Sequence, residues 1–148
     1  MVVGIVVAVL VVVGYGYPAY KGWSGRKGVE NLVKALEQAE KEDYKLALAD
    51  TYGGKTPQET LDMFIKAVEE GDYELASKYF IIPKQEEWEV ELLEINKVDK
   101  INVFIEPIKK ERSVKGILSK DEDSYSIYGQ HVINFLKYPS GNWKIEDF

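Results

Sequence analysis

The sequence predicts an α+β chain in which an N-terminal transmembrane helix and a helical stalk precede helices packed on an antiparallel sheet. Three observations carry that expectation. Met1 to Tyr20 holds no charged residue, apolar residues then recur at helical spacing as far as Arg112, and from Ser113 β-branched and aromatic residues alternate with turn-formers.

Met1 to Val13 is almost entirely Val, Ile, Leu, Ala and Gly, and the uncharged run to Tyr20 suffices to cross a hydrocarbon core of about 30 Å as a helix. Tyr15, Tyr17, Tyr20 and Trp23 gather where an interfacial aromatic belt belongs. A cleavable signal wants small residues at both specificity positions before its cut, and Tyr17 is too bulky for the site ending at Ala19. An uncleaved, single-pass anchor over residues 1–23 is therefore expected. Its rival is a buried strand or core helix, and the Val-rich strand needs a parallel sheet that nothing downstream supplies. Lys21, Arg26 and Lys27 follow the segment and by themselves would hold the rest of the chain in the cytoplasm. A frame that enters an apolar run at once suggests a start further upstream. A basic leader there would reverse the balance, so the globular part is expected outside the cytoplasm, at the cell envelope.

Ser24 to Asp50 reads as one helix, with Ser24 as its cap and a narrow apolar seam of Val29, Leu32, Val33, Leu36, Ala39 and Ala47. It reads equally as a free-standing stalk and as a solvated helix packed on the domain, and it ends in turn chemistry at Asp50–Lys55. Thr56, Pro57 and Glu59 form a capping box that opens the next helix, whose Leu61, Phe64, Ile65 and Val68 share a face. Gly71 ends it, and Asp72 caps a second helix burying Leu75, Ala76, Tyr79 and Phe80. Trp88, Leu92 and Ile95 suit a third. Val98 to Ile108 fits both periods but favours a helix that kinks or ends near Pro107. Short strands follow at Val114–Leu118, Tyr125–Tyr128, Gln130–Tyr138 and Trp143–Phe148, turned by SKDED, YGQ and PSGN. The expected division is an anchor over 1–23, a stalk and linker over 24–55, and an α+β domain over 56–148.

Charge narrows the function. All cations before Val29 lie just after the apolar run, leaving sixteen basic and twenty-five acidic groups beyond it, net −9. Such a body repels phosphate backbones, so no nucleic acid is expected as a partner. The chain has no Cys, which removes disulfides, thiolate metal sites and thiol nucleophiles.

The hairpin TPQETLDMFIKAVEEGDYELASKYF, followed by meandering strands that finish in GNWKIEDF, resembles the nuclear-transport-factor-like cone superfamily of ketosteroid isomerase and the SnoaL proteins. Within it the sequence is most similar to small membrane-anchored bacterial proteins of unknown function. The resemblance covers about Thr56 to Phe148 and implies a cone-like architecture, a curved sheet wrapped by helices around a pocket. It does not carry chemistry across, because that superfamily holds both enzymes and non-catalytic members.

Tyr79, Phe80, Trp88, Phe135 and Trp143 are the residues expected to line such a pocket, with core packing as the alternative. His131, the only histidine, is expected with them at the pocket as a satisfied or half-exposed strand residue, the alternative being an acid or base beside a carboxylate or Tyr128. GGKT at Gly53–Thr56 ends like a phosphate-binding loop, but a helix precedes it and Pro57 removes a donor. Asp121, Glu122 and Asp123 lack the Gly and distal Glu of a calcium loop, and Glu86, Glu87, Glu89, Glu91 and Glu94 read as a solvated helix face. No cofactor and no metal site is expected. The function expected is a membrane-tethered, non-catalytic domain binding a small apolar ligand or an envelope protein. The alternatives are an isomerase or hydrolase using His131, and a pilin-like assembly subunit, against which Ile5 stands where a pilin has a carboxylate.

Overall fold

The computed structural model describes residues 24–148, with side chains from Gly28 onward. The expected anchor lies outside the described residues, and among these no helix is long and apolar enough to cross a membrane. By contacts the described residues fall into two units that divide between Glu42 and Asp43. The described part of the first belongs to helix α1, Ser24–Ala49, whose residues from Gly28 to Glu42 are all exposed.

In the second unit the loop after α1 leads into α2, Pro57–Glu70. Thr56 is extended, and its Oγ1 accepts the N–H of Glu59, while Glu59 Oε2 accepts from the N–H of Lys55 at 2.7 Å. The capping box thus reaches one residue further back than the usual return to the cap itself. Gly71 adopts φ 76°, which suits a residue without Cβ, and Asp72 then caps α3, Tyr73–Ser77, through the N–H of Leu75 at 3.0 Å. Leu61, Phe64, Ile65 and Val68 are buried, as their spacing predicts.

After a single 3-10 turn, Ile82–Lys84, come α4, Gln85–Lys97, and α5, Ile101–Glu111. The helix expected to kink or end near Pro107 runs on to Glu111 with Pro107 inside it. Proline cannot pair with the carbonyl of Val103, but Val103 is exposed whereas Ile105 and Ile108 are buried on either side of the proline. Their burial outweighs one lost hydrogen bond at the surface.

Four strands follow, β1 Ile117–Leu118, β2 Ser124–Tyr128, β3 Val132–Lys137 and β4 Trp143–Asp147, paired antiparallel in that order. The chain is therefore α+β, with helices and a four-stranded antiparallel meander. Ile127 pairs with Ile133, Tyr125 with Phe135 and Phe135 with Ile145, which puts the buried residues on one face. The outer edge of β4 is covered: Ile145 donates to Tyr79 O and accepts from Ile81 N–H, both at 2.9 Å, and Trp143 donates to Gly54 O. β1 forms the other edge.

Candidate functional site

The six expected pocket residues separate into different surroundings. Phe80 and Trp88 stack at 4.5 Å between ring centroids, and Phe64, Phe104 and Phe148 close around them with centroids 5.3 to 6.1 Å apart. Phe64 and Phe80 are fully buried, Trp88, Phe104 and Phe148 are half-buried against them, and the stacked, edge-to-face and tilted pairings favour rigid packing. Phe135 and Trp143 belong to a second group around Tyr125, at 6.3 and 6.4 Å from its ring. Gln58 and the N–H of Gly116 both donate to the Tyr125 hydroxyl. Tyr79 is buried beside β4, where desolvation first, then the Tyr52 phenol and the Asp72 and Glu70 carboxylates, push its hydroxyl pKa up.

His131 lies apart from both groups, exposed in the turn between β2 and β3. The carboxylate that meets it is Glu111, at the end of α5, but the bond is to its backbone. Glu111 Oε1 accepts the N–H groups of Gln130 at 2.7 Å and His131 at 3.1 Å. Glu111 is 2% exposed, so two backbone donors satisfy a charge that would otherwise be stranded. Gly129 makes room for this, because a Cβ there would run into the Glu111 carboxylate. The cluster locks a turn.

A second buried charge sits on the outer face of β4. Lys144 is 0% exposed and its Nζ donates to Asp50 Oδ2 at 2.7 Å, to Lys78 O, and to Tyr52 O at 3.4 Å. The rings of Tyr138 and Tyr52 lie 5.6 and 6.0 Å from the ammonium, within reach of cation–π attraction. Burial drives the Lys144 pKa down, and the bond and charge of Asp50 pull part of it back up. Tyr138 is itself raised, chiefly by burial, and its hydroxyl accepts the N–H of Ile82. Gly53, at φ 107°, lets the loop come close to the Trp143 carbonyl. This ammonium thus fastens the loop after α1 to β4, beside the bond from Trp143 N–H to Gly54 O.

Beside this clamp an open depression of about 570 Å³ is lined by Leu48, Lys55, Glu59, Met63, Ser140 and Asn142 among others. Its polar groups are largely spent on the fold. Lys55 Nζ donates to Asn142 Oδ1 at 2.6 Å, Asn142 Nδ2 donates to Thr51 O, and Glu59 holds the N–H of Lys55. Among the described residues no group of three His, Asp or Glu is placed to hold a metal ion.

Neither buried charge was anticipated from sequence. Lys144 stands between two inward residues, Trp143 and Ile145, so strand alternation turns it outward, and only the loop folded over it makes the position buried. Glu111 left a legible sign: it follows Ile101, Ile105 and Ile108 on the apolar stripe of its helix, where a solvated carboxylate does not belong.

These features define a helix-rich α+β domain whose interior is packed with aromatic rings and whose charged residues are used as fasteners. Comparison with known proteins adds no relative: no family model, no curated protein and no solved structure matches the chain.

Proposed function

We propose that this chain is a membrane-tethered, non-catalytic domain that binds a protein partner at the cell envelope through the outer face of its sheet. One observation supports the choice of a surface over an interior pocket: Phe64 and Phe80 are fully buried, and Trp88, Phe104 and Phe148 pack against them in one aromatic cluster. His131, exposed and bonded through its backbone, supports the same choice over the enzyme reading. The tether rests on the uncharged run Met1–Tyr20 and its following aromatic residues. The capped helical hairpin followed by an antiparallel meander supports kinship with the cone superfamily, with its cavity filled.

The face proposed for the partner follows from the strand register. Tyr128 pairs with Val132, and Ser126, on the same face as Tyr128, pairs with both Ile117 and Asn134. Tyr128, Val132 and Ile117 therefore point the same way, and all three are exposed. A hydrogen bond at 2.8 Å from Ser126 to Asn134 spans the patch between them, giving apolar residues around a polar centre. To test this, a photoreactive residue is placed at Tyr128, and separately at Glu94 on α4, in the full chain in native membranes. A specific protein adduct from Tyr128 but not from Glu94 is the expected result. Equal labelling at both sites, or a co-purifying apolar small molecule detected by native mass spectrometry, would overturn it.

A further inference from the structure

α1 exposes apolar side chains that the described structure leaves uncovered. Val29 is 52% exposed, Leu32 51%, Val33 45% and Leu36 37%, and Ala35 and Ala39 are exposed as well. Single exposed apolar residues are ordinary, but four large ones within eight positions of one helix are not. Their spacing is that of a coiled-coil seam: Val29 and Leu36 at the first heptad position, Leu32 and Ala39 at the fourth, with Val33 beside them.

We propose that α1 pairs with the α1 of a second copy of this chain, parallel and in register, through Val29, Leu32, Leu36 and Ala39. In the first heptad Val29 at the first position with Leu32 at the fourth is the combination that favours two strands, while Leu36 and Ala39 extend the apolar seam. The flanks permit self-pairing in this register, because Ala35 meets Glu40 of the other copy and Glu42 meets Ala47, so no like charges are opposed. Glu30, Lys34, Glu37 and Lys41 fall on the outer positions, and Lys34 already bonds Glu30 at 3.1 Å along its own helix. The seam closes at Asp43, which takes the next first position and would oppose its own copy. Two heptads are marginal for association in free solution. Here the inference rests on the tether: Met1–Tyr20 held in one membrane would align copies in parallel and raise their effective concentration.

The chain has no Cys, so a single introduced thiol reports alone. Val29→Cys, Leu36→Cys, Glu30→Cys and Lys34→Cys are each made in the full chain, recovered with membranes and oxidised mildly. Positions 29 and 36 are expected to form disulfide-linked dimers on the order of ten-fold faster than 30 and 34, because only seam residues bring Cβ atoms to bonding distance. Adding Leu36→Lys to Val29→Cys should abolish that preference. A membrane-held chain with equal rates at all four positions, or with no dimer, overturns the pairing alone. A chain found only in the soluble fraction overturns the tether and, with it, the parallel pairing argued from it.

Discussion

At the scale of single residues, the two buried charges respond differently to substitution. Asp50→Asn leaves the Lys144 ammonium buried without its counter-charge, and a loss of about 3 kcal/mol or more is expected in urea unfolding. Replacing both, with Asp50→Leu and Lys144→Met, should cost less than Asp50→Asn alone, since no charge is then stranded. The pH dependence has a definite sign. The folded pKa of Lys144 lies below its unfolded value, so the unfolded chain binds more protons between the two, and stability rises with pH across that window. Relative to Lys144→Met, the unmodified chain should therefore gain stability as pH climbs toward about 10.4. Tyr79 and Tyr138, raised by burial, act oppositely: their contribution is present below about pH 10 and lost above it. A difference measured against the Met variant separates the effects. For Glu111, Gln keeps one oxygen to accept from Gln130 and His131, so Glu111→Gln should cost about 1 kcal/mol and Glu111→Ala about 3 kcal/mol, read from chemical denaturation.

Among the elements, α5 is under the clearest conflict between local preference and packing. Pro107 forfeits a helical hydrogen bond and crowds the preceding turn, an effect of up to about 3 kcal/mol in a helix interior. Against it stands the stiffening of the unfolded chain by proline, about 1 kcal/mol at most. The first effect is larger, so Pro107→Ala should raise the melting temperature, by an amount corresponding to about 1–2 kcal/mol. A fall in melting temperature would show that the proline ring itself packs favourably against its neighbours. The hairpin of α2 and α3 shows the contrary case at its caps, where Thr56, Pro57, Gly71 and Asp72 each agree with the element they bound, whereas α3 stops at Ser77 and the Tyr79 and Phe80 expected on its buried face follow it, beside β4.

On the scale of the whole molecule, Asp50 belongs by sequence to the end of the stalk and by structure to the Lys144 clamp. A fragment covering 43–148 should consequently be more stable than one covering 51–148 by about 3 kcal/mol, the cost of stranding a buried ammonium. Calorimetry on the two fragments gives the answer, and equal melting temperatures would mean that solvent reaches Lys144 once the helix end is gone. The aromatic interior makes the fold intolerant of truncation as well: Phe80, which touches Phe64, Trp88 and Phe148, couples α2, α4 and the C-terminus in one packed cluster.

By itself the sequence determined which class of chain this is and where its elements lie. Caps, turns and the change from helical to alternating spacing act between neighbours a few residues apart, so the hairpin, α4 and the strands were legible without coordinates. The aromatic residues were legible as buried, but not whether they would wall a pocket or fill it, because that depends on rings contributed by Phe64, Phe104 and Phe148 from distant parts of the chain. Only the tertiary structure decided that Glu111 would hold the backbone beside His131 and not its ring, and that Lys144 would be sealed beneath a loop ninety residues earlier in sequence. Both outcomes turn on desolvation. A charged group's environment is set by whatever the fold lays over it, and no local pattern of residues records that covering.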